Sequence, residues 1–197
     1  MDTLYETAVF YMAIVAALAM YRGVGSVGTR PGAGLSLIVR VVTRVLIPLN
    51  VAIAVSVAAH GHLTPGGGFQ AGAVLAVVSV LLAVVFSAGS FGKLGISVPK
   101  AVALRSVGLI AIALVVLAPL AYSVATGVQA YLMQNQVKVD SPFAFPAHLL
   151  GQLVSGTLIW LNLAEFLAVS FGFFVVFMLL SLREDVLREQ LGGEHGH

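Results

Sequence analysis

Acidic side chains within or near apolar segments are the first candidates for chemistry in this sequence. Glu165 lies inside a long apolar run, where an ionisable group is costly to bury and is a functional candidate by default. Such a carboxylate could load or release a cation or a proton, but it could equally reach water or pair with a neighbouring subunit. Glu6 has the same alternatives in a run close to the N-terminus.

Histidines and an asparagine are further candidates for an ion path. His60 and His62 stand at i and i+2, so they do not share a helix face and would form a poor two-histidine metal site. They could relay protons, although a loop histidine that is hydrogen-bonded to the backbone is commoner. The same two interpretations apply to His148, and Asn50 is a candidate for an interhelical hydrogen bond. We predict no metal site.

A glycine-rich segment with a distinctive order of residues joins two apolar runs. Pro65 is followed by Gly66, Gly67 and Gly68 and then by Phe69. Proline fixes one φ angle, and glycine permits positive φ and a close backbone approach. The first amides of the helix that follows have no intrahelical partners. We therefore predict a sharp structural turn that packs against another part of the protein. It lacks the lysine of a phosphate-binding loop.

Apolar runs of membrane-spanning length must position these residues. The chain is 59% hydrophobic and 9% charged, which predicts an integral membrane protein. The runs predict an all-α polytopic membrane helix bundle of about five transmembrane helices, at roughly 5–21, 40–59, 69–91, 104–127 and 159–181.

The chain divides into three parts by composition. Residues 1–35 are expected to form an appended transmembrane helix and a glycine-rich basic linker, residues 36–182 a four-helix membrane domain, and residues 183–197 a cytoplasmic tail. Within the second part, the uncharged stretch 147–182 is longer than one span needs. We favour a break, with the last helix beginning near Gly156, over a single strongly tilted helix.

Basic residues cluster on one side of the predicted bundle. Of the ten Lys and Arg residues, only Lys138 falls on the same side of the bundle as the glycine-rich segment. The other nine fall on the opposite side, including Arg105, which lies at the start of the fourth predicted run. The positive-inside rule then places the N-terminus, the glycine-rich segment and the 128–147 connection outside the cell and the C-terminus inside. No basic patch is interleaved with aromatic residues, so we interpret these residues as topology determinants and predict no nucleic-acid partner.

Some classes of protein are excluded by what the sequence lacks. Without cysteine, the chain forms no disulfide and no thiolate metal site. No pair of carboxylates and no row of acids and bases stands out within the apolar runs, and the chain shows no internal two-half symmetry. The sequence therefore predicts that this chain does not transport ions by itself.

The segment from His60 to Gly72 closely resembles the signature of the MnhB family, whose members are small subunits of Mrp-type multisubunit Na⁺/H⁺ antiporters. The resemblance covers about residues 36–182, with a weaker echo at 162–169, whereas the helix at 5–21 is additional. Homologous subunits also occur in the Mrp-like modules of membrane-bound hydrogenases and related respiratory complexes.

The resemblance implies a small accessory subunit in the plasma membrane, without a catalytic site or a cofactor. It would lie in the lipid bilayer beside other Mrp-type antiporter subunits, including large channel subunits related to those of respiratory complex I, or beside hydrogenase-like or other redox-arm subunits. There it would help to form a sodium or proton path. Two alternatives stay open: an autonomous small ion transporter or channel that acts as a homo-oligomer, and a purely structural assembly subunit.

Overall fold

Five helices make up most of the protein in the computed structural model, which describes residues 2–20, 35–86, 91 and 95–180. They are α1 (Asp2–Met20), α2 (Leu37–His60), α3 (Gly68–Phe86), α4 (Val98–Thr126) and α5 (Thr157–Leu180). The helices α2 to α5 are long and apolar enough to cross a membrane, and α1 contributes a shorter apolar stretch. The predicted all-α polytopic bundle is confirmed.

Parts of the predicted organisation lie outside the described residues. These parts are most of the linker, all of the predicted tail at 183–197, and the basic residues Arg22, Arg30, Lys93, Arg183 and Arg188. Among the basic residues that the structure describes, Arg40, Arg44 and Lys100 lie in the first two turns of α2 and the first turn of α4. The guanidinium of Arg44 lies 5.9 Å from the ring centre of Phe86 at the end of α3.

Helix α5 is the centre of the bundle, because it contacts each of the other four helices. Among the described helices, α5 is the only one whose backbone comes close to that of α4. A Cβ atom added to Gly108 of α4 would lie 2.6 Å from the backbone N of Ala168 and 2.7 Å from the carbonyl O of Ala164. Membrane helices approach closely at small residues of this kind. The α4–α5 contact therefore depends on the missing side chain of Gly108.

Helices α3 and α1 approach α5 closely in the same way. A Cβ atom on Gly72 of α3 would lie 2.7 Å from Cβ of Val169. On α5 itself, a Cβ atom at Gly172 would lie 2.5 Å from Cδ1 of Ile14 and 2.7 Å from Cε1 of Phe10, both on α1. Three neighbouring helices thus approach α5 at positions that have room for no more than a hydrogen atom.

The connection between α4 and α5 is an irregular loop that is held together by one buried amide. The side chain of Gln134 is 3% exposed. Its Nε2 donates to the carbonyl O of Gln136 at 3.0 Å and of Phe143 at 2.7 Å, and its Oε1 accepts from the backbone N of Tyr131 at 3.0 Å. The 128–147 connection, which by its polar residues and prolines could be a loop or a short surface helix, is a loop without helical residues.

A short β-hairpin follows this loop, in a structure whose other regular elements are helices. Strand β1 (His148–Leu149) pairs antiparallel with β2 (Gln152–Leu153). Helix α5 then begins at Thr157, directly after Gly156, whose φ of 61° is readily available to glycine. Asn135 accepts a 2.7 Å hydrogen bond from the backbone N of Thr157. The break that we favoured near Gly156 is therefore present.

Arg105 is not a surface residue at the start of a helix, as the sequence analysis assumed. Helix α4 begins at Val98, so Arg105 lies two turns inside the helix and is 4% exposed. Its guanidinium lies 4.8 Å from the ring centre of Tyr11 on α1. A cation–π contact of this kind offsets part of the cost of removing the charge from water. Arg105 thus joins α4 to α1.

Candidate functional site

A cavity of about 300 Å³ lies where the turn between α2 and α3 meets the beginnings of α1 and α5. We call this the loop end of the bundle. The residues that line the cavity are Glu6, Gly61, His62, Gly66, Gly67, Gln70, Leu158, Asn162 and Glu165. Both glutamates that the sequence analysis singled out are among them, and no lining residue is Lys or Arg. The cavity therefore favours a cation or a proton over an anion.

Glu165 is the buried acid of this site, with an exposed fraction of 1%. The hydroxyl Oγ1 of Thr7 donates to its Oε1 at 2.8 Å, and the backbone N–H of Phe69 faces the carboxylate. Its second oxygen, Oε2, is buried without a hydrogen-bond partner among the described residues. The carboxylate thus lies inside the chain, against α1 and the start of α3, and not at a surface that is open to water.

The glycine-rich turn reaches Glu165 because Gly68 has no side chain. A Cβ atom on Gly68 would collide with the carbonyl O of Asn162, and it would lie 2.7 Å from Cβ and 2.8 Å from Oε2 of Glu165. The turn that we predicted to pack against another part of the protein therefore packs on α5. Gly66, with a φ of 153°, is the position in the turn with positive φ.

The residues at the two ends of this turn have different environments. Pro65 is exposed. The ring of Phe69 packs edge-on against Phe10 of α1 at 5.8 Å and against Phe173 of α5 at 6.4 Å between ring centres. Rings at such distances and angles attract each other beyond the effect of their buried area. Phe69 thus joins the start of α3 to both α1 and α5.

We expect Gly68→Ala to destabilise the protein more than Gly67→Ala does. At Gly68 the new methyl group meets backbone and a buried carboxylate, and such overpacking costs about 1–3 kcal/mol of the free energy of unfolding. At Gly67 the nearest atom is Oε1 of Gln70 at 2.8 Å, the end of a flexible and exposed side chain that can move. Thermal unfolding of both variants in detergent would test this, and equal midpoints would contradict it.

The histidines of the predicted ion path are hydrogen-bonded to the backbone where they lie in the turn. His60 is exposed, and its Nδ1 donates to the carbonyl O of Ser56 at 2.9 Å. His62 lines the cavity, and its Nε2 donates to the carbonyl O of Leu153 in β2 at 2.9 Å. This second bond ties the turn to the hairpin.

The other two candidates of the predicted path lie away from the cavity. His148 is exposed in β1 and is not a lining residue. Asn50 lies ten residues before His60 in α2, about 15 Å along the helix from its end. Its Oδ1 is buried and has no hydrogen-bond partner in the described part of the chain, so the predicted interhelical bond is not made by this atom. Of the residues proposed for an ion path, only His62 and Glu165 are brought together.

No pair of carboxylates stands out in the sequence, yet Glu6 and Glu165 line one cavity because α1 packs against α5. Asn162 is a further lining residue that was not predicted, although it stands three positions before Glu165 and therefore shares its helix face. Gln70 completes the polar lining from the first turn of α3. In the described ranges, no group of three or more His, Cys, Asp or Glu side chains could hold a metal ion.

Thr7→Val should destabilise the protein by removing the donor to Glu165. Valine has nearly the shape of threonine but no hydroxyl, so the buried Oε1 loses its 2.8 Å bond. An unsatisfied buried acceptor costs about 1–3 kcal/mol. Thr7→Ser keeps the hydroxyl and is the matched control. The thermal midpoint in detergent should fall for Thr7→Val and stay closer to wild type for Thr7→Ser, and the reverse order would contradict this role.

Comparison with known proteins identifies the part of the chain that carries the turn and Glu165. Residues 38–175 match the family model of a domain related to the MnhB subunit of Na⁺/H⁺ antiporters. The match extends from the second residue of α2 into α5. Helix α1, which brings Glu6 and Thr7 to the cavity, lies outside the matched residues. No curated protein matches the chain.

Proposed function

The chain belongs to the family of domains related to the MnhB subunit of Na⁺/H⁺ antiporters, since the match covers more than half of its 197 residues. From this membership we propose that it is an accessory, non-catalytic membrane subunit of an Mrp-type antiporter module. Its role there is to help form the sodium or proton path beside larger channel subunits. The cavity at the loop end is its contribution to that path.

The observation that carries this proposal is the burial of Glu165 beneath the glycine-rich turn. An ionisable group within a membrane span is costly and is retained where it serves an ion pathway or a specific contact. Here the most distinctive segment of the sequence is seated on the helix turn that bears this carboxylate, at Asn162 and Glu165. The turn and the acid are therefore best explained as one functional unit.

The accessory character follows from how few charged groups are buried. In the part of the chain that the structure describes, the buried charged side chains are Arg105 and Glu165. Two such groups are too few to carry an ion across a hydrocarbon core about 30 Å thick. Neighbouring subunits must then supply the rest of the path.

Partners are expected at the faces of α2 and α4 that this chain leaves uncovered. In α2, only Thr43, Ala54 and Ala58 are buried. Large apolar side chains are exposed along both helices, for example Leu49 in α2 and Leu114 in α4. We propose that lipid and other Mrp-type antiporter subunits cover these faces in the plasma membrane. In a redox-driven module, hydrogenase-like or other redox-arm subunits would belong to the same complex.

Co-purification from native membranes is the experiment that tests this function. The tagged chain is extracted in a mild detergent, and every polypeptide that co-elutes is identified by mass spectrometry. We expect large channel subunits related to those of respiratory complex I. Elution of the chain alone or as a homo-oligomer would overturn the proposal, and Na⁺ flux by the purified chain in liposomes would then favour an autonomous transporter.

A further inference from the structure

We propose that α1 completes a binding site for a monovalent cation, with Na⁺ as its ligand in the proposed antiporter module. The site is formed by Glu6 of α1 together with Gln70 of α3 and with Asn162 and Glu165 of α5. This inference rests on the proposed function and extends it, because α1 lies outside the residues that match the family.

The lining of the cavity favours a cation or a proton. Glu6 and Glu165 both line it, and no lining residue is Lys or Arg. Oε2 of Glu165 is buried and has no hydrogen-bond partner in the described ranges. A buried carboxylate oxygen in this position is unfavourable unless a cation or a proton accompanies it. A bound cation supplies the missing partner of Oε2 of Glu165.

The lining provides the ligand atoms that a hard cation prefers. The side chains of Glu6, Gln70, Asn162 and Glu165 all carry oxygen atoms, and hard cations select oxygen ligands. The volume of about 300 Å³ exceeds that of a bare ion, so a cation there keeps part of its hydration water.

The packing of α1 explains why Glu6 faces this cavity. Thr7, Phe10 and Ile14 follow one another at intervals of three and four residues, so they share a helix face. Phe10 lies 4.4 Å from Phe173 between ring centres, and Thr7 donates to Glu165. These contacts fix the rotation and height of α1 on α5. Glu6, next to Thr7, is thereby placed at the edge of the cavity, where its side chain is exposed.

The test measures whether Na⁺ protects these carboxyl groups in the assembled complex. A hydrophobic carbodiimide adds to a protonated carboxyl group, and the adduct rearranges to a stable N-acylurea without a leaving group. Native membranes are treated with it in NaCl or in choline chloride of equal strength, and the labelled residues are located by mass spectrometry. We expect NaCl to lower labelling of Glu165 at least about fivefold, because a bound cation replaces the proton.

Variants show whether α1 takes part in the site. Glu6→Gln should raise the Na⁺ concentration for half-protection of Glu165 about tenfold, since it removes one of two carboxylates around the cation. Asp140→Asn, in the exposed part of the loop that precedes β1, is the control and should leave this concentration unchanged. Labelling that is independent of Na⁺, or equal half-protection in Glu6→Gln and wild type, would overturn the proposal.

If the carbodiimide labels neither glutamate, the site is tested by measuring the binding of radioactive Na⁺ to the purified complex. The complex with Glu165→Gln should then bind one Na⁺ fewer than wild type, and equal binding would overturn the site. The outcome is separable from that of the proposed function. If partner subunits co-purify but Na⁺ does not protect Glu165 from labelling, the accessory role stands and the cation site is overturned. If Na⁺ protects Glu165 but the chain purifies alone, the cation site stands and the accessory role is overturned.

Discussion

Glu165→Gln is expected to reduce Na⁺/H⁺ antiport by the assembled complex at least about tenfold while the complex still assembles. Glutamine has nearly the volume of glutamate, and its Oε1 can still accept the hydrogen bond from Thr7. The substitution therefore removes the negative charge of a buried side chain and leaves its packing in place. The measurement is the Na⁺-dependent collapse of a pH gradient in everted membrane vesicles, with the amount of complex determined in the same vesicles.

Asp140→Asn is the control for the loss of one negative charge. Asp140 is exposed in the loop between α4 and α5 and does not line the cavity, so antiport should remain at the wild-type rate. Wild-type antiport in Glu165→Gln would count against the ion path and in favour of a purely structural assembly subunit. A loss of the complex itself would show that the charge of Glu165 serves folding rather than transport.

The second large effect is expected for Gly108→Val, which should prevent α4 from packing on α5. The added side chain would meet backbone atoms, the N of Ala168 and the carbonyl O of Ala164, which cannot rotate away. No other described helix brings its backbone close to α4, so within the described residues α4 has no other helix to pack on closely. We expect a destabilisation of about 3 kcal/mol or more. The yield of the complex and its thermal midpoint in detergent are the measurements.

Ala113→Val is the matched control on the same helix. Ala113 is exposed, so the larger side chain faces the surroundings of the helix and should change neither the yield nor the midpoint. If Gly108→Val purified like this control, the close α4–α5 contact would not exist as described.

The positions of the helices followed from the apolar runs, because a membrane span needs a minimum length of apolar sequence. The start of α4 was the largest error, since the predicted run begins at about residue 104 and leaves Pro99 and Lys100 outside the helix. Proline is compatible with the first turn of a helix, where its missing N–H would have no partner, and α4 in fact begins at Val98. The same error concealed the burial of Arg105.

The site could be predicted only in part. The sequence marked Glu165 and the glycine-rich turn separately, because an acid in an apolar run and consecutive glycines are visible locally. It did not join Glu6 and Thr7 to Glu165, since residues 158 positions apart meet only through the packing of α1 on α5. Nor could it distinguish Gly68 from Gly67, which differ in what surrounds them and not in type.

The position of α5 as the centre of the bundle has a consequence for biosynthesis. A ribosome releases α5 after the other four helices, so α1, α3 and α4 are synthesised before the helix on which each mainly packs. Until then, α4 lacks its neighbour, and the hydroxyl of Thr7 cannot yet donate to Glu165. The last helix to be made therefore both completes the packing of the bundle and carries Glu165 to its buried position.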